Sequence, residues 1–412
     1  MPRSRTFRVV RLWLAAIFVS LAATACASLD RSDAVPADQE EQANVPGMTG
    51  IRYWADGNPA AMVSDARDSL ARERSYLAST GNQGPLPPVD FLAISGGGEN
   101  GAFGAGLLVG WTKAGTRPTF KVVTGISTGA LTAPYAFLGS AYDEELRKIY
   151  TTLSAKDVLE ARGLISGALF NDAMADNAPL RQTVAKYFNQ AMLDAIAAEY
   201  RKGRILLVGT TDLDARRPVI WNITKIAASF QPQSLKLVQD LLVASAAIPG
   251  AFPPMMIDVD VDGKHYQEMH VDGGASAQVF VYPPGLNLSS SGIVRKRTLY
   301  VIRNARLDPD WAKVDRSTMT IAGRAISSLI QTQGVGDLYR IYLISQRDGL
   351  DFNLAYIPKS FTRTLKEPFE TAYMKDLYDV GYDMAVKGYP WVKAPPGFEA
   401  ATGATPQPAL QN

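Results

Sequence analysis

The chain has 412 residues, 47% hydrophobic and 20% charged, with a net charge of +2. That composition excludes a disordered or fibrous chain, and so small a charge gives no ground for a nucleic-acid partner. The single cysteine, Cys26, excludes an intrachain disulfide.

Arg3, Arg5, Arg8 and Arg11 make a basic start, Leu12 to Ala23 is an apolar run, and the small residues Thr24 and Ala25 follow. These are the three regions of a signal peptide, expected over 1–25. The run is shorter than the roughly 20 apolar residues of a spanning helix. Cys26 resembles the processing site of bacterial lipoproteins, where the cysteine is lipidated and tethers a soluble domain to a membrane surface. Ala23 stands where leucine is usual, so ordinary cleavage nearby is the alternative. Ala27 rather than an aspartate follows the cysteine, and by that resemblance the expected place is the cell envelope, at the outer membrane facing the periplasm.

Residues 27–50 are polar and small and are expected to be a flexible tether. Ser64 to Ser79 fits an amphipathic helix, with Ala66, Leu70 and Leu77 among charges. Together 26–85 form an N-terminal tether and helix, ended by Pro85, Pro87 and Pro88. A main domain is expected over 86–393 and a disordered tail, rich in Pro, Gly, Ala and Gln, over 394–412.

Within the main domain, Val89 to Ile94, Phe120 to Ile126, Arg204 to Thr210 and Thr298 to Arg303 read as buried strands, and Val219 to Ile223 as a neighbour of the third. His265 to Val271 is a further strand candidate. Asn100 to Trp111, Thr128 to Leu138, Leu235 to Ala247 and Met374 to Val386 read as helices, and Leu286 to Arg297 as a loop. No internal repeat is present. Short apolar strands alternating with helices predict an α/β fold, a largely parallel sheet with helices on both faces.

Three motifs carry chemistry. Ser95-Gly96-Gly97-Gly98-Glu99-Asn100-Gly101 leaves a strand and opens a helix, exposing several backbone N–H groups beside a helix N-terminus. Such a loop holds an oxyanion or a phosphate, but no Gly-Lys-Ser or Gly-Lys-Thr follows as a nucleotide loop requires. Gly101, Gly104, Gly106 and Gly110 also suit close helix packing. Gly125-Ile126-Ser127-Thr128-Gly129 has the form of a nucleophile elbow, a sharp strand-to-helix turn that lifts a hydroxyl off the sheet. Val271-Asp272-Gly273-Gly274 places a carboxylate at a strand end, where an aspartate before glycines often only makes a turn.

A serine hydroxyl needs a base. The chain has only two histidines, His265 and His270, and neither follows Asp272. A carboxylate whose surroundings raise its proton affinity serves as base directly. His270, two residues before Asp272 on the same strand face, is the weaker candidate. Phe252, Met255, Met256 and the helix near Leu241 are expected pocket walls, although such residues are more often plain core.

The ordered set Gly96-Gly97-Gly98 with Gly101, then Gly125-Ile126-Ser127-Thr128-Gly129, then Asp272-Gly273-Gly274, resembles the patatin-like phospholipase family. Thr211-Asp212-Leu213-Asp214 and Ala244 to Pro249 with Phe252-Pro253-Pro254 support it. The resemblance covers 89–280 and extends toward 386. It implies a patatin-like three-layer sandwich and a Ser–Asp dyad without histidine, metal or cofactor. Ser127 would be the nucleophile, Asp272 the base, Gly125 and Gly129 the elbow glycines, and Gly96, Gly97 and Gly98 the oxyanion hole. The family usually carries Arg or Lys where this chain has Asn100, preceded by Glu99, which makes a neutral ester or lysolipid more plausible as substrate. The implied activity is hydrolysis of carboxylic esters of phospholipids or lysolipids, with membrane lipid as partner. The alternatives are a general esterase or thioesterase on small acyl donors and a non-catalytic lipid-binding lipoprotein. Oligomeric state is not readable from the sequence.

Overall fold

The computed structural model describes residues 31–161, 173 and 175–398. The expected signal peptide, Cys26 and the tail beyond 398 lie outside the described residues. Eleven strands are described: β1 (Arg52–Trp54), β2 (Val89–Ile94), β3 (Val122–Ile126), β4 (Glu160–Ala161), β5 (Ala175–Asp176), β6 (Ile205–Asp212), β7 (Arg217–Asn222), β8 (Met255–Val261), β9 (Lys264–Asp272), β10 (Arg297–Arg303) and β11 (Leu350–Tyr356). The helices are α1 (Ala60–Ser79), α2 (Gly101–Lys113), α3 (Thr128–Leu138), α4 (Asp143–Thr152), α5 (Ala178–Tyr187), α6 (Gln190–Arg201), α7 (Ile223–Ala228), α8 (Ser234–Ser245), α9 (Thr318–Asp348) and α10 (Thr371–Val386).

The main sheet runs β1-β7-β6-β3-β2-β10-β11. Its centre, from β6 to β11, is parallel. β7 and β1 extend it antiparallel, and the β8–β9 hairpin joins through β9. The parallel strands are apolar along their length because both faces are covered. Leu92, Ile94, Val123 and Ile302 point into one core with α2, α3 and α10, while Phe91, Ala93, Leu299 and Val301 point into a second core with α1 and the later half of α9. This is the α/β architecture expected, with antiparallel strands added at one edge.

α2 and α10 cross closely because glycines line the contact. A Cβ on Gly106 would lie 2.0 Å from the Tyr378 carbonyl oxygen, and one on Gly381 would lie 2.3 Å from that of Phe103. The helical glycines thus trade propensity for backbone approach.

Two expectations are corrected. The segment expected to be a flexible tether is packed over 31–50: Ala43, Val45 and Met48 are buried, Asn44 bridges Asp260, and Arg31 donates to Asp214 (2.8 and 2.9 Å). The tail expected to begin at 394 is seated as far as Phe398, whose ring packs on Tyr339 and Tyr342 (centroids 5.3 and 5.4 Å apart).

Gly106→Ala should destabilise the fold by about 1–3 kcal/mol in denaturant unfolding. Gly336→Ala, where an added Cβ meets nothing within 4 Å, should gain up to about 1 kcal/mol. Equal midpoints for the two variants would contradict this crossing.

Candidate active site

β6 brings the site together. Along one edge of β6, Gly209 faces Ile126 of β3, and the next residue, Thr210, faces Asp272 of β9. β3 and β9 therefore abut end to end, and Ser127, one residue past β3, meets the last residue of β9. Ser127 Oγ donates to Asp272 Oδ2 at 2.6 Å, and both residues are buried. Gly273 fits the junction because a Cβ there would lie 2.5 Å from the Gly209 carbonyl oxygen.

Ser127 sits at φ 55°, ψ −127°, a backbone region costing of order 1–3 kcal/mol for a non-glycine residue. The surroundings hold it there. Its N–H donates to Ser245 Oγ (2.9 Å), and the Ser245 hydroxyl donates to the Gly209 carbonyl (2.7 Å). A Cβ on Gly125 would lie 2.3 Å from the Gly129 carbonyl oxygen, and one on Gly129 would lie 2.3 Å from that of Ile94. The two glycines let the turn close.

Asp272 is fixed by its own backbone N–H, donated to Ala247 (2.9 Å), and by the Gly274 N–H donated to Oδ1 (2.6 Å). Burial pushes its carboxyl up to about 6. The hydrogen bonds from Ser127 and Gly274 oppose that rise.

The glycine loop lies against Ser127, with a Cβ on Gly96 falling 3.1 Å from that of Ser127. The Gly96 N–H donates to the Gln278 carbonyl (3.0 Å) and so is not free for an oxyanion, which corrects its expected place among the donors. Among the described residues the Gly97 and Gly98 N–H groups have no acceptor. Gly97 has φ 155°, and a Cβ there would lie 2.4 Å from the Asn304 carbonyl oxygen. Asn304 also ties the loop down: its N–H donates to Ser95 Oγ (2.8 Å), its amide to the Ser95 carbonyl (2.9 Å), and its Oδ1 accepts from Gly104 (3.1 Å). Asn100, where a basic residue was expected by resemblance, accepts from the Tyr373 hydroxyl at 2.8 Å.

Beyond Ser127 opens an apolar cavity of about 100 Å³. Leu131, Tyr135, Ile149, Leu180, Val184, Leu242 and Phe252 line it, with Gly98 and Glu99 at the Ser127 end. Among the described residues Glu99 is its only ionisable group besides tyrosines, and burial raises its pKa. Of the expected walls, Phe252 and the helix near Leu241 take part. Met255 and Met256 do not: as consecutive strand residues they point to opposite faces, Met255 into the core beside Asn177 and Met256 to a half-buried position.

His270 is buried and committed elsewhere. It shares hydrogen bonds with Thr210 (3.0 Å) and Glu268 (3.1 Å) and packs edge-on to Trp221. His265 is exposed beside Asp260 (3.2 Å). Asp212, Glu268 and His270 bring ligand atoms within 4.8 Å of one another. Glu268 is already engaged by Arg52 through both oxygens, and both His270 ring nitrogens are taken, so the cluster is an ion-pair and hydrogen-bond network rather than an open cation site.

Gln278, Asn304 and the cavity walls on α4 and α5 escaped the sequence reading, and Ser245 entered it only within the Ala244 to Pro249 stretch, with no role of its own. Both helices left a signal: Leu146, Ile149 and Tyr150 at helical spacing after an acidic first turn on α4, and Leu180, Val184 and Tyr187 on α5.

Residues 92–283 match the model of the patatin-like phospholipase family. The chain matches no curated protein. Among solved structures it is similar to VipD from Legionella pneumophila, at 13% identity and TM-score 0.36, covering 73% of this chain and 66% of that one. It is also similar to the type III effector ExoU, at 11% identity and TM-score 0.30, covering 74% of this chain and 53% of that one. ExoU in complex with SpcU from Pseudomonas aeruginosa gives 12% and 0.28, over 74% and 52%. The chain thus spans about half to two thirds of those proteins, and likenesses this distant carry no residue-level argument.

Because the folded Asp272 carboxyl titrates near 6 and an unfolded one near 3.8, the unfolded chain ionises first as pH rises. Stability contributed by this group falls between about pH 4 and 6 and stays low above. Asp272→Asn should therefore melt a few degrees higher than the native chain at pH 8 and converge with it below pH 4. Parallel melting curves across that range would contradict the raised value.

Proposed function

We propose that the protein is a lipid acyl hydrolase working through a Ser127–Asp272 dyad. The observation that carries this reading is the 2.6 Å hydrogen bond from the Ser127 hydroxyl to a buried carboxylate with raised proton affinity, at the end of an apolar cavity. The patatin-like phospholipase match over 92–283 supports it.

Ser127 Oγ attacks the ester carbonyl carbon while its proton passes to Asp272. Negative charge moves to the carbonyl oxygen, where the free Gly97 and Gly98 N–H groups are the donors at hand; one such donor is worth about 10²–10³ in rate. The carbon–oxygen bond to the leaving alcohol then breaks, and Asp272 returns the proton to that alcohol. Water, deprotonated by Asp272, releases the acid from the acyl-serine and restores the dyad. The apolar cavity takes the acyl chain, at about 0.8 kcal/mol per buried CH₂.

Glu99 in that cavity, with Asn100 held by Tyr373, disfavours an anionic group close to the reacting ester. The substrate is accordingly a neutral or zwitterionic acyl lipid. We also propose that Cys26 is the lipidated residue of a mature envelope protein, supported by the ordering of the segment before it; a Cys26→Ser chain should then lose its acyl modification by mass spectrometry.

Ser127→Ala and Asp272→Asn should each lower hydrolysis of a zwitterionic lysolipid by about 10³-fold or more. The native kcat/KM should fall on the acid side with an apparent pKa of about 6. Unchanged hydrolysis by Ser127→Ala would refute the reading. Glu99→Lys should shift preference toward an anionic lipid by about tenfold, and an unaltered ratio would remove Glu99 from head-group selection.

A further inference from the structure

α9 is built inside out over its first half. An ordinary surface helix turns its apolar stripe inward. From Thr318 to Gly336 the only charged residue is Arg324. At 100° per residue, Ile321, Ala322, Ala325, Ile326, Leu329 and Ile330 share one broad arc, and Arg324, Ser327 and Gln331 share the other. Two residues of the polar arc reach the protein, while Ser327 between them is exposed: Arg324 donates to the Asp310 carbonyl, and Gln331 Nε2 donates to that of Arg306 at 2.9 Å. The apolar arc is exposed among the described residues, with Leu329 at 70%.

This arc leads to the reacting centre. Its next turn carries Gln333, whose Oε1 accepts from Gln278 Nε2 (3.1 Å), and Gln278 Nε2 also donates to the Gly274 carbonyl (2.8 Å), two residues from Asp272. The helix is anchored there, since Gly334 rests directly on the buried Arg303 guanidinium. The loop entering α9 leaves the carboxyl end of β10, the same sheet edge as Ser127, and holds Trp311 at 86% exposure among charges of both signs, Asp310, Lys313, Asp315 and Arg316.

A contiguous exposed apolar face marks an interaction site. Its chemistry selects the partner. An uncharged apolar helical arc with an exposed tryptophan beside it is the makeup of an element lying in a lipid–water interface, and the flanking charges, Lys313 and Arg316 against Asp310 and Asp315, balance, which suits a zwitterionic surface. Among the described residues no helix is long and apolar enough to cross a membrane, so this element would lie on the surface. We propose that the first half of α9, with Trp311, seats the protein on a lipid surface and opens the Ser127 site toward it. The proposal rests on the acyl-hydrolase reading for its purpose, but not for its test.

The test uses the full chain carrying Cys26→Ser and Ser127→Ala, which has no thiol and no nucleophile. An environment-sensitive fluorophore is attached at Leu329→Cys or, as control, at Ser290→Cys in the exposed loop before the amino end of β10. With phosphatidylcholine vesicles, the label at 329 should shift to the blue and be quenched by brominated lipid, while that at 290 should not. Equal responses at both positions would overturn the proposal. So would a shift at 329 that needs no vesicles and grows with protein concentration, because a second copy would then cover the face. In the catalytically intact chain, Ile326→Glu with Leu329→Glu should slow hydrolysis of a dispersed long-chain ester about tenfold or more. Hydrolysis of a soluble short-chain ester should stay within about twofold. An equal loss on both substrates would overturn the proposal. If the native chain hydrolyses no ester yet the label at 329 enters lipid, the catalytic reading fails and the lipid surface stands.

Discussion

The site exists because two strands share one edge of a third. β6 pairs with β3 up to Gly209 and with β9 from Thr210 onward. That single-residue handover makes the ends of β3 and β9 neighbours, although Ser127 and Asp272 are 145 positions apart. Gly209 and Gly273 permit the handover, and Ser245 locks it by accepting from Ser127 and donating to Gly209. Shifting β9 by one residue would turn the carboxylate to the other face of the strand.

Burial gives this contact its chemical character. A solvated aspartate would be too weak a base to compete for a hydroxyl proton near neutral pH. Asp272 is enclosed and, among the described residues, its carboxylate receives two hydrogen bonds, so desolvation dominates and its proton affinity rises. Glu268, equally buried four residues earlier, moves the opposite way. Burial would raise it too, but His270 and Arg52 hold it down at about 2. The same strand thus carries one carboxylate fixed as an anion in an ion-pair network and one poised to exchange a proton.

The sequence disclosed the parts whose physics is local. The parallel strands announced themselves as short apolar runs, α3 falls on its expected bounds, and the glycine motifs marked turns that only glycine tolerates. What stayed hidden depends on distant contacts. Asn304 belongs to no motif, and its value lies in reaching Ser95 and Gly104 across the fold. Residues 31–50 looked like a tether because they hold few apolar residues, yet Ala43, Val45 and Met48 suffice to seat them beside the β8–β9 hairpin. α9 and β11 gave no clear pattern. In α9 the apolar arc faces outward in one half and inward in the other, so no single stripe runs its length.

Glycine loop, elbow, carboxylate and cavity converge at the carboxyl edge of the sheet, as ligand sites in α/β sheets do. The account stands on Asp272 activating Ser127. The most direct measurement is fluorophosphonate labelling of the intact protein, followed by peptide mass spectrometry, in the native and Asp272→Asn chains. The account predicts one adduct, on Ser127, forming at a rate that rises through about pH 6 and collapses in Asp272→Asn. An adduct on another residue, or equal labelling rates in the two chains, would contradict it.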